Sequence, residues 1–255
     1  SPIITGTAIL TIASFITRLI GFFYRMFLSS QFGEEGMGIY QLTSPVLALS
    51  YALCISGFQT AISKYVASKE SRGQSRSAAY VLFVGMAFSL FISIPCTILI
   101  YYNADFIAEV LLSEIRTAPL IRIIALSIPL SSIHSCLNGY FLGHKKAGIS
   151  AITQLVEQTI RVLSVFMICY TMAADGQTPP LCVAASGLLA GEAASTLLSV
   201  IIFTISTRTI TTNTQIPFRE EVPELTVNIL KMAVIININQ SVIVGIIIFL
   251  SFLNQ

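Results

Sequence analysis

The sequence predicts an all-α polytopic membrane protein, built as a bundle of about seven helices that cross a lipid bilayer. The composition is the first reason, since 55% of the residues are hydrophobic and only 10% are charged. Soluble domains carry about 25% charged residues, so this chain lacks the polar surface that water requires. The second reason is that the apolar residues form long runs, without the alternation typical of membrane-spanning strands. These observations argue against a soluble enzyme.

Each predicted helix is an apolar run of roughly 20 residues or more, the length that crosses the hydrocarbon core. The runs lie at 3–29, 37–65, 78–102, 117–142, 149–172, 181–206 and 225–253. Pro45, Pro95 and Pro129 lie inside such runs and predict kinked helices. On the sixth run, Gly187 and Gly191 belong to a stripe of small residues at four-residue spacing, which predicts close helix packing.

The polar stretch 207–224 interrupts this rhythm, because it is the longest such stretch and is rich in Thr. It predicts a cytoplasmic linker between a six-helix unit at 1–206 and a seventh helix at 225–255. In chain order, the connections after the six runs hold 0, 4, 1, 2, 0 and 3 basic residues. Because basic loops stay in the cytoplasm, this alternation predicts a multi-pass protein of the cytoplasmic membrane with a cytoplasmic N-terminus.

The same sequence argues against several classes of function. The net charge of +2 gives no electrostatic reason to expect nucleic acid as a partner. The five cysteines form no Cys-x-x-Cys pair, so neither a disulfide framework nor a metal site is predicted. No nucleophile, general base or nucleotide-binding motif is recognisable. The sequence therefore predicts neither an enzyme nor a cofactor.

Charged side chains inside the apolar runs are the sharpest functional signal. Arg18 lies near the middle of the first run, where insertion costs about 2.5–3.5 kcal/mol, so we expect it to have a partner or a function. Arg25 follows seven residues later on almost the same helical face. Two stacked guanidinium groups can bind a phosphate-bearing anion, because each presents a planar fork of donors. We therefore predict that Arg18 and Arg25 bind substrate.

Further polar residues lie in the last three runs. Glu157 and Arg161 are four residues apart and can pair on one helical face, while Glu192 lies at a similar depth in the next run. We predict a buried charge network of these three residues, with direct substrate contact as the alternative. Asn237 and Gln240 mark one polar face of the seventh run, which predicts a watery cavity and two more substrate-binding residues.

Five segments, taken in order along the chain, resemble one group of membrane proteins. They are 17–25 (TRLIGFFYR), 31–40 (QFGEEGMGIY), 57–64 (GFQTAISK), 139–143 (GYFLG) and 154–161 (QLVEQTIR). Together they resemble the multidrug/oligosaccharidyl-lipid/polysaccharide (MOP) flippase superfamily, in particular its polysaccharide-biosynthesis and stage V sporulation protein B-like branch. Compared with related lipid II flippases, the first segment has one extra residue before Arg25.

The resemblance implies two six-helix lobes enclosing a cavity that opens alternately to each side of the membrane. It implies a flippase for lipid-linked oligosaccharides, the precursors of polysaccharide or peptidoglycan, with Arg18 and Arg25 lining the cavity. The chain then corresponds to the N-terminal lobe plus one helix of a second lobe, whose remainder we expect to be missing. The implied partners are the lipid-linked sugar, membrane lipids and that second lobe.

Two other interpretations stay open at this point. A drug/cation antiporter of the same fold would need acidic residues in its cavity, whereas the first helix offers two arginines. A non-transporting membrane scaffold of a cell-wall synthesis complex belongs to a different class. A transport measurement on the full gene product would distinguish the scaffold from the two transporters.

Overall fold

The structure, a computed structural model, describes residues 2–208 and 222–253. Within these residues every regular element is a helix. Six helical stretches are long and apolar enough to cross a membrane. They are Ile4–Glu70, Ser77–Tyr102, Ile115–Gly143, Ala147–Ala174, Cys182–Ser206 and Thr226–Ile246. The predicted all-α membrane bundle is thereby confirmed.

The first stretch contains two of the seven predicted spans. As one straight helix, its 67 residues would measure about 100 Å, over three times the roughly 30 Å of a hydrocarbon core. Within it, helix α1 (Pro2–Leu42) is broken at Gly33, where φ is 71° and ψ is 178°. Glycine adopts a positive φ at little cost, so the chain changes direction there. The segment 30–36, predicted as a loop, is therefore helical on both sides of one broken residue.

The second predicted span is also divided, which the apolar run at 37–65 did not indicate. It comprises the end of α1, then α2 (Ser44–Cys54) and α3 (Ser56–Glu70), with breaks at Thr43 and Ile55. Pro45, predicted to kink a helix interior, instead lies in the first turn of α2. A proline there loses no helical hydrogen bond, because the first backbone N–H groups have no partner in the helix.

The remaining helices follow the predicted order. They are α4 (Ser75–Tyr102), the short α5 (Ala104–Phe106), α6 (Ala118–Gly143), α7 (Ala147–Ala174), α8 (Cys182–Arg208) and α9 (Val222–Leu253), with a π-helix (Ile107–Leu111) and a 3₁₀ helix (Ile115–Thr117) between α5 and α6. Pro95 and Pro129 lie inside α4 and α6, as predicted. Both ends of the predicted linker at 207–224 are helical, and its other residues lie outside the described part of the chain.

The bundle is organised around α6, which packs against α3, α4 and α8. The largest apolar cluster combines α3, α4 and α6, with Phe58, Leu82 and Phe141 at its centre. Helix α9 joins this cluster through Ile229 and Ala233. Helix α1, in contrast, packs mainly against α7. The α1–α7 pair therefore forms a wall to one side of the main core.

Helices α7 and α8 approach each other at the distance of backbone contact. A Cβ atom at Gly191 would lie 2.7 Å from the carbonyl oxygen of Glu157. One at Gly187 would lie 2.2 Å from Val165 Cγ2 and 3.1 Å from the carbonyl oxygen of Arg161. Only glycine avoids these clashes, so the predicted stripe of small residues does pack closely against its neighbour. This contact fixes the position of Glu157 and Arg161 along α8.

Candidate functional site

Two adjoining cavities open between the helices. The arginine cavity, of about 380 Å³, lies between α1 and α7, and its lining includes Arg18, Tyr24, Arg25, Gln154, Glu157 and Arg161. The central cavity, of about 590 Å³, is lined by residues of α1, α2, α3, α6, α7 and α8, including Tyr51, Gln59, His134, Asn138, Glu157 and Glu192. Gln154, Glu157 and Arg161 line both cavities. One polar face of α7 therefore forms their common wall.

Arg18 and Arg25 both line the arginine cavity, as their seven-residue spacing on α1 predicts. Both residues are largely exposed in the structure. Among the residues whose side chains are described, no carboxylate forms an ion pair with either arginine. The two guanidinium groups therefore remain available to an anion from outside the chain.

Opposite them, α7 presents Glu157 and Arg161. Arg161 Nη2 donates a hydrogen bond to Glu157 Oε1 at 2.5 Å, and the two side chains are only 19% and 20% exposed, respectively. The i, i+4 spacing brings these groups together on one face, as expected for a helix. Gly21 of α1 allows the close approach of α7, since a Cβ there would lie 3.3 Å from Gln158 Nε2. The ion pair thus lies directly across the cavity from the arginines of α1.

Glu192 interacts with a different partner. It is 4% exposed, and its Oε1 atom accepts a hydrogen bond from the Tyr51 hydroxyl. The Tyr51 oxygen also lies 2.6 Å from Ser131 Oγ. Because the tyrosine hydroxyl has one proton and donates it to Glu192, Ser131 must be the donor in the second bond. Glu192 forms no ion pair among the described residues, so the three acidic and basic groups of the predicted network are not linked into one chain of salt bridges.

Uncharged polar groups complete the lining of the central cavity. Ser135 Oγ donates to Gln59 Oε1 at 2.9 Å, which ties α6 to α3. His134 Nδ1 lies 3.4 Å from Ser199 Oγ. Asn138 Oδ1 is buried and has no partner in the structure. A cavity with these hydroxyl and carboxamide groups can hydrogen-bond a polar, uncharged ligand.

Asn237 and Gln240, predicted to bind substrate, line neither of these cavities. Asn237 is buried, and its Oδ1 atom accepts a hydrogen bond from the backbone N–H of Gly57 at 2.6 Å. That N–H belongs to the first turn of α3 and has no acceptor within its own helix. Asn237 therefore caps α3 from α9. Gln240 is exposed on the surface of α9.

The structure adds site residues that the sequence did not single out. Tyr24, Gln154 and Gln158 line the arginine cavity, and Tyr51 holds Glu192 in the central cavity. The two glutamines share a helical face with Glu157, so a helical projection of 154–161 could have found them. Tyr51 had no such signal, because its role depends on α2 packing near α8.

The fold and these cavities define a multi-pass helical membrane protein with charged and polar groups between its helices. The chain belongs to the family described as polysaccharide biosynthesis protein, whose model matches residues 3–248. It is 33% identical over 167 residues to stage V sporulation protein B of Bacillus subtilis, covering 66% of this chain and 32% of that protein. It is 28% identical over 171 residues to lipid II flippase MurJ of the same organism, covering 64% and 31%. The suspected MOP flippase superfamily is thereby confirmed.

A solved structure supports the same fold. A MOP superfamily transporter from Pyrococcus furiosus superposes with a TM-score of 0.78 at 17% identity, covering 94% of this chain and 52% of the transporter. At this identity the likeness concerns the fold alone. The chain spans about a third of the length of the curated relatives it matches.

Proposed function

We propose that this chain contributes one lobe of a flippase that moves lipid-linked oligosaccharides across the cytoplasmic membrane by alternating access. The observation that carries the proposal is the pair of cations, Arg18 and Arg25, which line one cavity of a membrane-spanning bundle and have no carboxylate partner among the described side chains. A guanidinium at such a depth is costly unless an anion compensates it. A phosphate-bearing headgroup supplies that anion in a geometry that suits arginine. The similarity to lipid II flippase MurJ supports this substrate class.

The proposal assigns transport to a protein with two lobes rather than to these helices alone. In it, 1–206 is the first lobe, 207–224 a cytoplasmic linker and 225–255 the first helix of the second lobe. The match to 52% of the Pyrococcus furiosus transporter supports this division. The alternating basic loops support a cytoplasmic N-terminus. The proposal assigns the groups in both cavities to binding and includes no catalytic step.

The charge of the arginine cavity also discriminates among the alternative functions. Its lining has three arginines, Arg18, Arg25 and Arg161, against the single acid Glu157. A net positive lining repels a cationic drug, which disfavours the drug/cation antiporter. A wall-synthesis scaffold requires no such cavity, so transport remains the function that accounts for it.

Asn237 is assigned to helix packing because it caps α3, and a substrate role for Gln240 would require a surface formed by the second lobe.

Replacement of Arg18 tests the proposed function. In the full gene product, Arg18→Ala should insert and fold but fail to support growth of a strain depleted of its flippase. Arg18→Lys keeps the charge without the two-pronged geometry, so it should be partly active. Arg25→Ala should have a smaller effect, because its side chain can reach the interface. Growth is scored together with the membrane level of each variant.

Arg116→Ala serves as the matched control, because Arg116 is an exposed arginine that pairs with Glu35 and Glu114 away from both cavities. It should complement like the unsubstituted protein. Normal growth with Arg18→Ala at a normal membrane level would remove Arg18 from the substrate site. Loss of the variant from the membrane would instead assign Arg18 a structural role.

A further inference from the structure

The connection between α4 and α6, residues 103–115, is a folded element rather than an open loop. Helix α5 and the π-helix that follows it form one connecting helix, 104–111. The chain then turns at Ser113, where φ is 53°. The backbone N–H of Glu114 donates back to the carbonyl oxygen of Ala108 at 2.9 Å. This bond closes the end of the connecting helix, so its side chains have defined directions.

One face of the connecting helix is buried against the bundle. Ala104 and Ala108, four residues apart, are fully buried and belong to an apolar cluster with Ile121 of α6. Asp105 is bound to the same helix, since Arg122 Nη2 donates to its Oδ2 atom at 2.6 Å. These contacts fix the rotation of the connecting helix about its own axis.

The other two faces of the connecting helix point outward and differ in chemistry. Phe106 and Val110 share one face and are 59% and 58% exposed. Asp105 and Glu109 share the other face and are exposed as well. Residues four apart lie on the same side of a helical element, so each pair forms a continuous strip. An apolar strip beside a charged strip is typical of a helix that lies in the plane of a membrane interface.

The surroundings of the apolar strip indicate that lipid covers it. The strip follows directly from the outer surface of α4, because Leu99, Tyr102, Phe106 and Val110 recur at three- or four-residue spacing and are each more than half exposed. Helix α4 ends at Tyr102, and tyrosine is common at the boundary between hydrocarbon and headgroups. The next membrane span begins at Ile115. The connecting helix therefore lies between two spans, at the surface of the hydrocarbon core.

We propose that the connecting helix is an interfacial anchor whose partner is the lipid leaflet in which α4 ends. Phe106 and Val110 insert about 5–10 Å into the boundary between headgroups and acyl chains, while Asp105 and Glu109 face water. Residues 103–115 contain no Lys or Arg, so the attachment is apolar and needs no anionic lipid. The anchor holds the adjoining ends of α4 and α6 at one depth. It requires neither the arginine cavity nor a ligand bound there.

Spin-label accessibility tests the position of the connecting helix. Single cysteines replace Phe106, Val110 and Glu109 in a cysteine-free full gene product, which is labelled and reconstituted into phosphatidylethanolamine–phosphatidylglycerol liposomes. Each label is exposed to oxygen, which concentrates in lipid, and to a nickel chelate that stays in water. At Phe106 and Val110 the collision rate with oxygen should exceed that with nickel by about threefold or more, and at Glu109 the nickel rate should be the higher.

Two exposed positions supply the references. Phe91→Cys reports on lipid beside the middle of α4, and Asp175→Cys reports on water in the connection between α7 and α8. The ratios at Phe106 and Val110 should lie between these two values. Ratios equal to that at Asp175 would show an open loop, and ratios equal to that at Phe91 would show insertion into the hydrocarbon core. Exclusion of both reagents would show that protein covers the strip. Each of these three results overturns the interfacial anchor.

Phe106→Trp gives a second measurement that keeps an aromatic ring on the apolar strip. After subtraction of the signal of the unsubstituted protein, its fluorescence should be quenched by lipids brominated along the acyl chain and not by iodide. Glu109→Trp is the matched control one helical turn away, and iodide should quench it. Quenching of both tryptophans by iodide alone would contradict the anchor, even if a cysteine at Phe106 does not fold.

Discussion

Glu157 and Arg161 neutralise each other one helical turn apart, on the wall that separates the two cavities. Their partners on neighbouring helices are few, because Glu192 is held by Tyr51 and the arginines of α1 lie across a cavity. Each member of the pair therefore depends on the other for its charge compensation. A buried charge that loses its partner costs more than a pair that is removed as a whole.

Charge-neutral variants of this pair give a direct prediction. Glu157→Gln and Arg161→Gln should each destabilise the protein, by roughly 1–3 kcal/mol because the pair is partly exposed. The double variant should be more stable than the sum of the two single effects predicts, because it leaves no charge unpaired. Melting in detergent, with the four proteins compared as a double-mutant cycle, measures the coupling. Strict additivity of the two losses would mean that the ion pair does not contribute.

The sequence identified site residues through charge, and through little else. Arg18, Arg25 and Glu192 stood out because an ionised group in an apolar run is rare. Tyr24 and Tyr51 did not, since tyrosine is common in membrane helices and its function depends on which groups face it. Asn237 was predicted in a cavity but caps α3, because the helix break at Ile55 was hidden inside an apolar run.

At the scale of the elements, the contact between α7 and α8 positions the site. Gly187 and Gly191 allow α8 to lie against the backbone of α7 at the residues that carry the ion pair. The spacing of these glycines was readable in the sequence. The partner helix was not, since a stripe of small residues does not specify which helix it will contact.

A methyl group at Gly191 should separate the two helices. Gly191→Ala places Cβ 2.7 Å from the carbonyl oxygen of Glu157, and we expect a loss of about 1–3 kcal/mol from overpacking. Gly148→Ala is the matched control in α7, because a Cβ there meets nothing within 4 Å. It should be neutral or stabilising by up to about 1 kcal/mol, since alanine favours the helix. The order of the two Tm values in detergent decides the prediction, and Gly191→Ala melting at or above Gly148→Ala contradicts it.

The helix boundaries show what hydropathy cannot predict about this fold. Hydropathy located every apolar stretch, because the bilayer imposes a minimum length on each crossing. It did not resolve the breaks at Thr43 and Ile55, since both lie inside the apolar run at 37–65. The break at Gly33, in contrast, falls in the predicted connection at 30–36. In a membrane, contact with lipid determines the amino-acid composition of a span, whereas packing against neighbouring helices determines the direction of its backbone.

At the scale of the whole molecule, the orientation in the membrane remains a prediction from loop charge. Single cysteines at Glu34 and Asp175, in a cysteine-free background, should react with an impermeant reagent applied to intact cells. A cysteine at Arg72 should react only after permeabilisation. All three positions are exposed, whereas Lys69 in the same basic loop is buried and would give an ambiguous result. Labelling in the opposite pattern would reverse the assigned orientation.

The net positive lining of the arginine cavity also determines how the membrane voltage acts on the proposed cycle. Each elementary charge moved through 100 mV changes the free energy by about 2.3 kcal/mol. An empty site with a charge of +2 would be drawn toward the negative cytoplasmic side. A site whose charge is neutralised by a bound anionic headgroup would cross the same field almost without electrical work. The resting potential would therefore drive the return of the empty carrier and leave the loaded step nearly indifferent to voltage.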